Sequence, residues 1–541
     1  MAASNPLEEA GKRFINRRRF LQTAGLGTVG LALGISVGCD NKSNAPGGTL
    51  ASPTSQVTEQ PVRGGTLRVL ASSDLAPATV INSLNPANYW LNSAVHERLI
   101  DYRPAQALDP QPQLAESWAF SPDYTSLTFK LRSGVKFHTG RPLTSEDVKW
   151  NIELRGDPKT ASQLLGVAKW VQKVETPDAQ TVVCRLDRPR PAVLDLFHGM
   201  FIGDPETHQE TMDGKNFVGT GPFKFKEWVP GDHWTMVRNP DYWQKDRPYL
   251  DEITVRVIPD NSTKLINLQT GEADVAVVLE PRDAKDLLND KNYAVLTAPV
   301  MYNCWYVGID VKNPYFSDKR ARQAISYLLD RQRIVDTILF FGEATQLVWD
   351  KNSPAYTPEL AHTQDYNPAK AKDLLAQAGV PSGITVTHTC PTGYAESHAF
   401  SEILQAELAK LGIKSSIEKI DSGPFIQKLS AAQFGGFFSS GVGFMNMTPS
   451  NLFVFSYPYR IPNASNFDTP EYRQLLTDIS ETVDEAELKK IYVKMNQYLL
   501  DQSFMIPIAS MERPMIATAK VKGLHYNRSA FPVLVNTWKS K

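Results

Sequence analysis

Cysteine, net charge and long apolar runs are all scarce in this chain of 541 residues. Four cysteines are too few for a disulfide scaffold, which carries them far more densely. Basic and acidic side chains number 57 and 58, a formal charge of −1, whereas a general nucleic-acid binder shows a basic excess. No nucleic-acid partner is expected. The 37 prolines and 33 glycines follow no repeat, which excludes collagen-like material. At about 100–200 residues per domain, the length implies about three domains.

Sequence signatures of catalysis are missing too. There is no Gly-x-x-x-x-Gly-Lys-Ser/Thr loop, no Gly-x-Ser-x-Gly elbow and no His-Glu-x-x-His helix. Gly219-Thr220-Gly221-Pro222 is glycine-rich, but Pro222 removes an N–H that a phosphate cradle would use. His388, Cys390 and His398 have the chemistry of metal ligands, yet they read as the end of a strand and the helix after it. His198 and His208 match no zinc spacing. No metal, cofactor or catalytic group is expected.

What the chain does have begins with an address. Lys12, Arg13, Arg17, Arg18 and Arg19 precede an uncharged run from Phe20 to Gly38 that five glycines interrupt. A positive segment, a weakly apolar one and small residues describe an export signal over residues 1–39. Glycine lowers both the insertion energy and the helix propensity of that run, which counts against a permanent membrane anchor. Arg17, Arg18, Phe20 and Leu21 match the twin-arginine export pattern. Ser36-Val37-Gly38-Cys39 is similar to a lipoprotein cleavage site, with Ser36 where Leu is usual and Cys39 as the acylated residue. Residues 40–63 are rich in Ser, Thr, Pro, Asn and Gln and cannot bury enough apolar surface to offset ordering entropy, so they read as a flexible linker. A location in the periplasm or on the outer face of the cytoplasmic membrane, with a lipid anchor, is the expectation. Of the remaining cysteines, Cys184, Cys304 and Cys390, at most two can pair.

From Gly64 onward strands and helices alternate. Leu127–Arg132 and Thr181–Leu186 carry the apolar–polar alternation of half-buried strands. Thr144-Ser145-Glu146-Asp147 opens a helix with a hydroxyl cap and acids in its first turn. Lys319–Leu339 predicts one long helix with an apolar stripe through Ala321, Ala324, Ile325 and Leu328. The fold class is mixed α/β.

Leu114–Trp150, LAESWAFSPDYTSLTFKLRSGVKFHTGRPLTSEDVKW, resembles the signature stretch of the family 5 extracytoplasmic solute-binding proteins, the peptide, dipeptide and nickel receptors of ABC importers. Gly219–Phe223 continuing to Arg238–Trp243, Phe316–Ile325 with Asp330-Arg331, and Gly271–Asp274 resemble the same family, so that the likeness runs over residues 64–541. It implies a two-lobed binding fold with a hinge, discontinuous lobes and an additional domain. Projected here, the first lobe takes 64–100, 214–300 and 503–541, the additional domain 101–213 and the second lobe 301–502. The resemblance implies a monomer that carries out no chemistry. It would capture a peptide or similar polar organic solute and deliver it to a membrane permease–ATPase complex. An exported sensor or adhesion lipoprotein, and an exported hydrolase or redox enzyme, are the alternatives.

In peptide-binding relatives three segments face the cleft. They match Asn88, Tyr89 and Trp90; Asn303, Cys304, Trp305 and Tyr306; and Gly443, Phe444 and Asn446. Rings and bare backbone suit a solute gripped by stacking and main-chain hydrogen bonds, although core packing accounts for the aromatics equally well. Peptide-binding relatives also carry an acid in the last segment, which pairs with the peptide amino terminus. This chain has no acid between Asp421 and Asp468, and a buried ammonium without a carboxylate is costly.

Overall fold

The computed structural model describes residues 59–541 apart from 82–85, 103–108, 161, 278–280, 298–303, 350, 443–447 and 513. The export-signal and lipidation positions Arg17, Arg18, Phe20, Leu21 and Cys39 lie outside the described residues, as do Asn303, Gly443, Phe444 and Asn446.

Three sheets organise the body. The first has seven strands, in the order Tyr293–Leu296, Met515–Thr518, Val275–Val277, Thr66–Ala71, Glu252–Val257, His233–Arg238 and Phe223–Val229. Thr66–Ala71 runs parallel to both of its neighbours. Leu67, Val69, Ile253 and Val255 point into one apolar core with Trp234 and Trp90, the period-2 alternation of a strand buried on one face. The second sheet has five strands, ordered Lys414–Ile420, Thr385–Pro391, Phe437–Val442, Cys304–Ile309 and Met505–Ser510. An antiparallel sheet of four strands, ordered Ala115–Phe120, Ser126–Leu131, Thr181–Leu186 and Val171–Asp178, lies between residues 101 and 213. It packs Phe129, Val182 and Cys184 onto the helix Ser145–Gly156 and the short helix Leu194–Gly199.

Local chemistry explains most boundaries. Thr144 N–H and its hydroxyl both donate to Asp147 Oδ2, at 2.8 and 2.9 Å, which fixes the first turn of Ser145–Gly156. Gly271 and Gly412 follow helix ends with φ of +79° and +76°, the left-handed conformation that glycine adopts without Cβ strain.

Two features differ from the sequence reading. The helix expected over 319–339 ends at Leu328, where Leu329 is extended, and a new turn starts at Asp330, whose carboxylate accepts from Arg333 N–H at 3.2 Å. Arg331 causes the break. Its guanidinium is buried and collects the carbonyls of Ser326, Gln364 and Pro507, an arrangement that a straight helix could not make. The strand Met505–Ser510 pairs antiparallel with Cys304–Ile309, from Cys304↔Ser510 to Gly308↔Met505. Residues 505–510 therefore belong to the second sheet, and the chain returns to the first sheet between Ser510 and Met515.

Candidate functional site

The strand Cys304–Ile309 lies inside the five-stranded sheet, hydrogen-bonded on one side to Phe437–Val442 and on the other to Met505–Ser510. Successive side chains point to opposite faces. Trp305, 3% exposed, packs edge-on against Tyr394, with ring centroids 5.6 Å apart, and against Phe400 at 6.0 Å. Cys304 and Tyr306 enter the opposite core, where Tyr306 meets Phe438 edge-on at 6.1 Å. Burial pushes the Cys304 thiol and the Tyr306 phenol well above their ordinary ranges, so neither ionises near neutral pH. Cys184, Cys304 and Cys390 are all free and buried.

Gly441 stands directly across from Trp305. A Cβ there would lie 2.5 Å from Met511 Sδ, so the missing side chain is what lets Met511 cover the strand. Behind this wall sits a polar cluster. Ser439 Oγ is 3.0 Å from His388 Nε2 and 2.7 Å from Ser401 Oγ, and Ser397 Oγ donates to the Ser439 carbonyl at 2.8 Å. Cys390 Sγ lies 3.2 Å from Ser401 Oγ, while His398 Nε2 lies 3.6 Å from Glu402 on its own helix. Desolvation lowers His388 to about 3, which keeps it neutral. Among the described residues no cluster of three or more His, Cys, Asp or Glu is placed to hold a metal. The cluster pins the strand to the helix Ala395–Lys410 instead.

The first segment divides by function. Asn88 is fully buried; its Oδ1 accepts from Ala76 N–H at 3.0 Å, and its Nδ2 donates to Ala76 O and Thr79 Oγ1 at 3.1 and 3.0 Å. It ties the loop at 76–79 to the start of the helix Tyr89–Val95. Trp90, 3% exposed, faces the first-sheet core with Leu91 and Trp234. Tyr89, one residue earlier on the helix, is half-buried and lies 4.0 Å from the Phe531 ring at 31°. Desolvation pushes its phenol up to about 12, opposed by Arg98 and reinforced by Tyr394.

Tyr394 is the residue that joins the segments. It touches Trp305, acts electrostatically on both Tyr89 and Tyr306, and follows the carboxyl end of the strand Thr385–Pro391. The sequence reading missed it. The Pro391-Thr392-Gly393-Tyr394 turn at a strand's carboxyl end was the available signal, since open α/β sheets bind ligands there.

The family model of the bacterial extracellular solute-binding proteins, family 5, matches residues 109–463. The glutathione-binding protein of Shigella flexneri is 28% identical over 467 residues, covering 81% of this chain and 89% of the relative. The structure of the binding protein AgaA from A. tumefaciens R10 with agropinic acid superposes with a TM-score of 0.75 at 28% identity, covering 88% of this chain and 99% of the other. The substrate-binding protein CtaP of Listeria monocytogenes gives a TM-score of 0.78 at 22% identity over 88% of this chain and all of the other, a likeness of fold. Two lobes, a hinge and an additional domain are the architecture of these proteins. The chain belongs to family 5 of the bacterial extracellular solute-binding proteins, the substrate-capturing components of ABC importers.

Proposed function

We propose that the cleft takes a polar organic solute that presents no free α-amino group to the second lobe, such as an amino-blocked peptide or an acidic amino-acid conjugate. One observation carries this reading: the wall formed by Cys304–Tyr306 and Ser439–Val442 carries no carboxylate, and no acid stands between Asp421 and Asp468. An ammonium buried against that wall would lack its carboxylate. Of the solutes in the relatives' names, glutathione keeps a free α-amino group and is therefore the member of the panel below that challenges this reading. Tyr89 and Tyr394 face the solute from the two lobes, Trp305 backs Tyr394, and Asn303, Gly443, Phe444 and Asn446 supply further contacts. Asn88, Trp90, Cys304 and Tyr306 support these from within the cores.

The first lobe comprises 64–100, 214–300 and 511–541, the additional domain 101–213 and the second lobe 301–510, with the hinge where the chain passes between the two large sheets. The protein works as a monomer beside its permease and ATPase. It leaves the cytoplasm by the twin-arginine route and stays tethered through Cys39 and the linker 40–63. Cys39→Ser should release it from the membrane fraction, and an unchanged membrane fraction would remove the anchor.

A thermal-shift panel of free peptides, amino-blocked peptides, glutathione and acidic opines tests the solute. A ligand at about 100 times its dissociation constant stabilises by about 2.7 kcal/mol. A shift with blocked or acidic members that Trp305→Ala weakens is expected. A shift confined to peptides with a free amino terminus would overturn the reading.

A further inference from the structure

Asp195 lies on the helix Leu194–Gly199 of the additional domain and is fully buried. Its Oδ1 accepts from the Tyr102 hydroxyl at 3.1 Å, within the same domain. Its Oδ2 serves the other body. It accepts the backbone N–H of Thr448 at 2.8 Å, the Thr448 hydroxyl at 2.7 Å and the Asn451 carboxamide. Asn451 Nδ2 also reaches the Ala192 carbonyl at 3.2 Å.

Thr448 caps the helix Pro449–Phe455, and the segment 443–447 immediately precedes it. Around this point Val454 packs against the additional domain's core, and Arg188 pairs with Glu481 at the exposed rim. The additional domain therefore holds the start of the helix Pro449–Phe455 through Thr448 and Asn451.

We propose that Asp195 is a latch, a positioning residue that holds the second lobe closed without touching the solute. In the closed arrangement one carboxylate oxygen has three donors from across the gap, and hydrogen bonds to a charged group are among the stronger ones. On opening, those donors and the carboxylate return to water. The contact exists in one state only, which is the condition for shifting a two-state equilibrium. Capture is then set jointly by the cleft and by a domain that makes no contact with the ligand. The inference rests on the two-lobed, hinged fold and is independent of which solute the cleft takes.

The test is small-angle X-ray scattering of the full chain with no solute added, comparing the parent with Asp195→Asn, Thr448→Val and Tyr102→Phe. Asp195→Asn and Thr448→Val should each raise the open-to-closed ratio about tenfold, read as a larger radius of gyration at unchanged circular dichroism. Thr448→Val removes the hydroxyl from the second lobe's side, so the result stands even if the buried Asp195 substitution fails to fold. Tyr102→Phe deletes only the donor from Asp195's own domain and should scatter like the parent. Parent-like scattering from Thr448→Val and from any folded Asp195→Asn would overturn the latch, as would a parent whose scattering excludes the closed contact. Because no ligand is added, a wrong solute class cannot produce either result.

Discussion

Two buried carboxylates, Glu97 and Asp195, have nearly the same chemistry and opposite reach. Glu97, 2% exposed, accepts from Thr220 Oγ1 at 2.9 Å, Tyr242 Oη at 2.8 Å and Trp243 Nε1 at 2.9 Å. These donors come from residues 220–243. Gly219 and Gly221 make the approach possible, since a Cβ on either would fall 2.1 Å from Val95 O or 2.5 Å from Ala94 O. Asp195 Oδ2 instead draws its partners from 253 and 256 residues away. The first carboxylate closes a fold and never lets go. The second bridges bodies that separate, so the same hydrogen bonds become a switch.

The largest effect that would sharpen this contrast is on stability. Glu97→Ala removes the acceptor shared by Thr220, Tyr242 and Trp243 and should destabilise the protein by about 3 kcal/mol or more in urea denaturation. Asp195→Asn should leave the first lobe's unfolding in place while changing lobe opening. A loss below about 1 kcal/mol for Glu97→Ala would break the comparison.

Acid provides the smaller probe. Burial lowers His96 to about 3 and His138 to about 4, both close to the Glu97 site, where His138 Nε2 sits 3.0 Å from the Gly221 carbonyl. These imidazoles stay neutral in the folded protein, whereas unfolded ones take up protons below about pH 6.5. Stability is therefore full above pH 6.5 and is lost as the pH falls towards 3–4, by up to about 1.4 kcal/mol per pH unit for each imidazole. His138→Gln should flatten the slope of stability against pH by one proton in that window. An unchanged slope would remove His138 from the account.

Much of the fold was legible because its information is local. Alternation marked Thr181–Leu186, and a hydroxyl and an acid three residues apart marked the helix after Thr144. The helix over 319–339 misled because its apolar stripe continues past Leu328. Only the distant carbonyls around Arg331 show why the chain turns there. The candidate site was half legible. Tyr89 and Trp90 are adjacent aromatics about 100° apart on a helix, and nothing local says which one the core takes. Trp305 and Tyr306 pose the same problem on a strand, where the two faces are equivalent until partners are known.

By itself, then, the sequence determined the family and the α/β alternation, because periodicity, caps and turn residues act within a few positions of themselves. The tertiary structure alone decided that residues 505–510 join the second sheet, that Trp90 belongs to a core, that Tyr394 packs on Trp305 and that Asp195 reaches Thr448. Each of these depends on contacts between residues far apart in the chain, whose partners are set by how whole sheets and helices pack.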